Sequence, residues 1–144
     1  MDRTFNFFGA IEVTLHKQIL INLTSIMEAL IVEAGIKSGK RKSRSPVPAK
    51  VTAAELVKIG VLGEEPYKAF YDFYYYRNRI HLHVSRQNEI LAAEFNRTLT
   101  ETCQPALENL IASLASGLKT YKKEKTDPVL NKEGETSKDE KTAD

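Results

Sequence analysis

FNFFGAIEVTLHKQILINLTSIMEALIVEAGI (residues 5–36) is the stretch that decides the fold. Phe8, Ile11, Leu15, Ile19, Leu23, Ile26, Met27, Leu30 and Ile31 recur in it at steps of three and four, with Lys17, Asn22 and Glu28 between them. That spacing places apolar side chains along one side of a helix. It predicts a helix from about Phe5 to Ile36, closed by Gly35 as a C-terminal cap. A helix this long needs partner helices to cover its stripe, so a bundle is the natural architecture.

The helical period returns beyond residue 88, in Leu91, Phe95, Leu99, Cys103, Leu107, Leu110, Ile111, Leu114 and Leu118. Pro105 falls inside this second stripe. It removes a hydrogen bond and crowds the preceding turn, so a kink or a division is expected near Glu101–Gln104. From residue 119 the chain changes character: seven Lys face seven Asp or Glu, and little is apolar beyond Val129 and Leu130. Such a segment buries too little surface to offset its ordering entropy. The expectation is an all-α protein: an antiparallel four- to five-helix bundle over 1–118, with a disordered charged C-terminal tail over 119–144. No repeat and no strand-like alternation competes with it.

Composition bounds the rest. The 144 residues suffice for one domain, and a net charge of +2 gives no whole-molecule field that favours nucleic acid. The single cysteine, Cys103, excludes an internal disulfide and fits a reducing compartment. It reads better as a small buried apolar residue than as a nucleophile, since no partner that would activate a thiol is obvious nearby. No apolar run approaches the length of a bilayer span, and the first residues lack the pattern of a signal peptide. A cytoplasmic protein with no membrane partner is expected.

Between the two long stripes lie the polar signals. KSGKRKSRSPVPAK (37–50) carries six Lys or Arg, no acid, three Ser and two Pro. It reads as a mobile loop, and Lys40, Arg41, Lys42 and Arg44 make it either a phosphate-contacting arm or a solvated connector. Thr52 and Glu55 have the spacing of a capping box for a short helix ended by Gly60. Glu64-Glu65-Pro66 then opens another helix, with Pro66 at its first position and both acids at the positive end of the dipole.

That helix runs into FYDFYYYRNRIHLH (70–83), the densest run of aromatic and ionisable groups in the chain. Histidine moves protons in either direction near neutrality. Arginine holds a phosphate through two parallel hydrogen bonds and keeps its charge throughout. Together they are a minimal set for cleaving a phosphodiester without a metal. The structural alternative has Arg capping terminal carbonyls and His hydrogen-bonded in the core. Tyr71, Tyr74, Tyr75 and Tyr76 span most of a helical turn, so some must lie at a surface, as a dimer contact or a platform for unpaired bases.

Arg77-Asn78-Arg79-Ile80-His81-Leu82-His83 resembles the signature of HEPN domains, in which Arg, often followed by Asn, precedes His by four to six intervening residues. The order of elements is similar too: a long first helix, a short helix, an aromatic-rich helix leading into the motif and a long last helix. The resemblance covers roughly residues 10–118, and its specific part is the seven-residue motif. It implies a homodimeric endoribonuclease, with a site formed between protomers and no metal or other cofactor. It further implies a prokaryotic toxin–antitoxin or antiviral defence setting, with an antitoxin or other protein partner. Arg77 would stabilise the phosphate charge in the transition state. Asn78 would orient Arg77 or the histidine, and His83 would be the general base or acid. Arg79, with the basic loop, would contact RNA. His81 competes with His83, because residues four apart share a helical face whereas His83 lies about 120° round from Arg77. A non-catalytic binding module of the same fold, docking a partner protein, a nucleotide or RNA, is the alternative. Three histidines and one cysteine make no metal-ligand set at any usual spacing.

Overall fold

The computed structural model describes residues 3–80 and 86–126, with side chains described for residues 11, 14–78 and 101–126. The described residues form four helices and no strand: α1 (Arg3–Lys37), α2 (Ala49–Lys58), α3 (Glu64–Ile80) and α4 (Arg86–Thr126). The all-α expectation therefore holds. α1 packs against each of the other three helices and is the spine of the bundle.

The core is built from one stripe of each element. Leu20, Met27, Ile31 and Ala34 come from α1, and Ala53 and Leu56 from α2. Val61 and Leu62 come from the turn that follows, Phe70 and Phe73 from α3, and Cys103, Leu110 and Leu114 from α4. Full burial of a large apolar side chain is worth about 1.5–3 kcal/mol, so Phe70, Leu20, Ile31 and Leu110 dominate cohesion. Thr24 is buried among them, and its hydroxyl donates to the Leu20 carbonyl at 2.7 Å.

The stripe read from the sequence divides into two faces of α1. Met27 and Ile31 point inward, while Leu15, Ile19 and Ile26 are 57, 41 and 46 % exposed. Leu20, at the centre of the core, was not in that stripe. Adjacent apolar pairs cause the error: Ile19 and Leu20, like Ile26 and Met27, sit about 100° apart, and both satisfy a three–four spacing. α1 also corrects the reading that no apolar run is long enough to span a bilayer. Thr14–Lys37 is a 24-residue stretch that is, by length and composition, long and apolar enough to do so. Between Lys17 and Lys37 only Glu28 and Glu33 are charged. A third of its apolar window is nevertheless buried inside the bundle.

Local signals shift at three helix ends. α1 passes through Gly35, which is buried and helical, and the left-handed residue is Gly39 at φ 75°. Gly35 instead allows α2 to come close, since a Cβ there would overlap the Thr52 methyl group. α2 begins four residues earlier than the capping box implies, at Ala49 rather than Ala53. Pro48 is its N-cap without a side-chain hydrogen bond, and Thr52 lies buried inside the helix. Glu55 pairs with Lys58 at 2.7 Å rather than reaching back. Gly60, at φ 71°, closes α2 as expected. α3 starts at Glu64, which makes Pro66 its third residue, where an amide hydrogen is still not needed.

α3 and α4 run antiparallel. Gly63 lies beside Ser113, whose hydroxyl accepts the Gly63 amide at 2.9 Å, and Ala69 faces the Thr102–Ala106 turn. Pro105 does not divide α4, which is continuous from Arg86 to Thr126. Residues 119–126, expected in the tail, are thus helical. Tyr121 packs on the core one turn past Leu118 and carries Lys125 over its ring at 4.9 Å. The rest of the expected tail, 127–144, lies outside the described residues.

Candidate functional site

The spacing of α3 explains where Arg77 points. Phe70 and Phe73 are buried, and Arg77 follows at steps of three and four, so it shares their face toward the bundle. A cation there needs an anion, because a partly desolvated charge without one is costly. α1 supplies it in Glu28, the residue after buried Met27. Arg77 Nη1 donates to Glu28 Oε2 at 2.5 Å and Nη2 donates to Oε1 at 3.0 Å. The two side chains are 20 and 22 % exposed, which makes this a half-buried, two-pronged pair.

Three further features surround the guanidinium. Its carbon lies 5.4 Å from the centre of the Tyr74 ring, within cation–π range. Nη2 lies 3.4 Å from Asn78 Oδ1, a long contact between neighbours in sequence. Nε is buried and has no hydrogen-bond partner among the described residues. Arg77 and Asn78 therefore stand together at the end of α3, with Asn78 exposed and Arg77 anchored. His81 and His83 lie outside the described residues, as does the side chain of Arg79.

The aromatic residues of α3 sort by face. Phe70 and Phe73 belong to the core, Tyr67, Tyr74 and Tyr76 are half-buried, and Tyr71 and Tyr75 are exposed at 46 and 51 %. Tyr67 and Tyr71 lie ring to ring at 6.3 Å, Phe70 and Tyr74 at 5.8 Å, and Tyr75 and Tyr76 at 5.7 Å, none of them parallel.

The basic loop between α1 and α2 is not uniform. Lys40, Lys42 and Arg44 are exposed, which a phosphate-contacting arm and a solvated connector both require. Arg41 turns inward. Its Nη1 donates to the Val47 carbonyl at 2.5 Å and to the Thr52 hydroxyl at 2.8 Å, and its Nη2 donates to the Ser45 carbonyl at 2.9 Å. Arg41 fastens the loop to α2 and is not presented to a ligand.

Two other places offer less chemistry. Cys103 is fully buried, and desolvation pushes its thiol up to about 11, so it is protonated and unreactive near neutral pH. A cleft of about 480 Å³ opens between the start of α3 and the middle of α4, lined by Glu65, Pro66, Ala69, Thr102 and Pro105. Among the described residues its lining holds no Lys, Arg or His, and Arg77 is roughly 12 Å further along α3. Among the described residues no group of three His, Cys, Asp or Glu converges as a metal site would require.

The sequence reading missed Glu28. A signal existed, since an acid next to a core position on an apolar helix must find a partner. Nothing in the sequence selects Arg77 as that partner, because 49 residues separate them. Compared with protein-family models, with curated proteins and with solved structures, the chain matches none.

Proposed function

We propose that this protein is a HEPN-like, metal-independent endoribonuclease acting in the cytoplasm as a homodimer, within a prokaryotic toxin–antitoxin or antiviral defence system. One observation carries the reading: Arg77 and Asn78 sit together at the end of α3, with the Arg77 guanidinium held by Glu28, four and six residues before His81 and His83 in the sequence. The resemblance of residues 77–83 to the HEPN signature supplies the reaction. A histidine takes the proton of a ribose 2′-hydroxyl, and the 2′-oxygen forms a bond to the adjacent phosphorus. The P–O5′ bond breaks, and the leaving oxygen takes a proton. A 2′,3′-cyclic phosphate and a 5′-hydroxyl result. Arg77 offsets the charge that builds on the non-bridging oxygens. Asn78 orients its neighbours, His81 or His83 moves the proton, and Lys40, Lys42, Arg44 and Arg79 hold the RNA backbone. The exposed rings of Tyr71 and Tyr75 suit a dimer contact through the aromatic helix.

A second reading, a non-catalytic binding module of the same fold, is favoured by the same ion pair. Glu28 already accepts from both terminal nitrogens of Arg77, so part of its donor capacity serves the fold. The test is incubation of a mixed single-stranded RNA with purified protein in EDTA, beside Arg77→Ala. Cleavage by the wild type alone, leaving cyclic phosphate ends, supports the enzyme. A folded dimer that leaves RNA intact supports the binding module.

A further inference from the structure

A guanidinium has five N–H donors arranged along three edges. Glu28 accepts one hydrogen from Nη1 and one from Nη2, which occupies the end-on edge. The neighbouring edge, formed by Nε and Nη2, is not occupied in the same way. Among the described residues Nε has no partner although it is shielded from water, and besides Glu28 the Nη2 has only the long contact with Asn78. Buried donors in native proteins are nearly always satisfied; of the two orphaned Nε atoms, that of Arg41 belongs to a guanidinium already fastened to Val47, Thr52 and Ser45, whereas that of Arg77 stands beside the motif. Tyr74 lies against the same group and limits its rotation.

We propose that Glu28 is a positioning residue: it grips the end-on edge of Arg77 so that the Nε–Nη2 edge is held ready for an oxyanion, which satisfies Nε and displaces the weak Asn78 contact. The class of ligand is a phosphate group; that it is an RNA phosphodiester rests on the ribonuclease reading above. Glu28 does not touch the reacting atoms. A bidentate carboxylate behind a bidentate arginine fixes the plane of the fork, and that plane decides whether two parallel hydrogen bonds reach one phosphate. Lysine in place of Arg77 could pair with Glu28 but has no second edge to offer.

The test compares wild type with Glu28→Gln, Glu28→Ala, Glu28→Asp and Arg77→Lys as full-length chains, after circular dichroism has shown each to be helical. With mixed single-stranded RNA in EDTA, kcat should fall about 100-fold in Glu28→Gln and Glu28→Ala, the scale of a misplaced catalytic group. KM should stay nearly constant, and Glu28→Asp should recover part of the loss. An unchanged or increased kcat in the Gln and Ala variants would overturn the proposal, since Glu28 would then be idle or would compete with RNA for Arg77.

A second readout does not depend on catalysis. The Nε–H resonance of Arg77, identified by its absence in Arg77→Lys, should shift when inorganic phosphate is titrated into wild type. It should not shift in Glu28→Gln. If wild type cleaves no RNA but this pattern appears, the ribonuclease reading fails and the positioning role stands. If phosphate never moves the wild-type resonance, the positioning role fails, whatever the protein does to RNA.

Discussion

Gly117 in α4 offers the sharpest test of how the bundle closes. A Cβ built there would overlap the carbonyl oxygen, carbonyl carbon and Cα of Val61. The obstacle is backbone in the turn between α2 and α3, not the end of a flexible side chain. Val61 is itself fixed, since its side chain is buried and its amide donates to the Leu56 carbonyl at 2.9 Å. Two effects oppose each other in Gly117→Ala. Alanine gains up to about 1 kcal/mol in a helix interior. Forcing a methyl group into a filled space costs about 1–3 kcal/mol, with the upper part of that range apt where backbone must move. The clash wins, and the net loss should be about 1–2 kcal/mol. For a chain of this size that lowers the melting temperature by roughly 4–8 °C. The assay is thermal and urea unfolding followed by helical circular dichroism, with Ser116→Ala beside it. Ser116 is the exposed neighbour, and its replacement should change stability by less than about 0.5 kcal/mol. A melting temperature of Gly117→Ala equal to or above wild type would refute the reasoning. α4 would then not approach the Val61 turn this closely.

Removing Glu28 or Arg77 singly should destabilise the fold, and a double-mutant cycle to Ala should return a coupling of about 1–3 kcal/mol, above the range of exposed pairs. The Cys103 thiol is raised to about 11 by burial from an ordinary value near 9, so the unfolded chain loses its proton first. The stability that this group contributes is full below about pH 9 and is lost as pH rises toward 11; the stability difference from Cys103→Ala, followed by urea unfolding across that window, should shift against the wild type. The same burial should protect Cys103 from a thiol reagent at pH 8 until the chain is unfolded. Neutralising Lys40, Lys42 and Arg44 together should weaken RNA binding and reduce the salt slope by about 2, while Arg41→Ala should lower stability and leave that slope nearly unchanged.

Periodicity carried the all-helical class, because steps of three and four persist over the long helices at both ends of the chain. It did less well on which face is buried. Where two apolar residues are adjacent, as at Ile19–Leu20 and Ile26–Met27, the pattern admits either, and only packing against α4 and α2 chooses. Helix ends were harder for a similar reason. Thr52 and Glu55 fit a capping box, but the close approach at Gly35 puts Thr52 inside α2, facing Arg41. Arg77 and Asn78 were legible because charged and amide groups crowd the end of an aromatic helix. Glu28 was not, since its role depends on a contact between α1 and α3. Nor could composition separate Arg41 from its neighbours, because the inward turn of one basic side chain among four is a property of the folded loop.

Arg41 changes what the loop can do. Its three hydrogen bonds tie residues 45, 47 and 52 to a single guanidinium, so the segment carrying Lys40, Lys42 and Arg44 is already ordered in the free protein. A polyanion meeting this loop finds charges mounted on a stiff frame rather than strung on a loose thread. On the RNA-binding reading proposed above, docking would sacrifice less chain freedom, and the separation of the charges would become a ruler against which the phosphate repeat of a strand is measured.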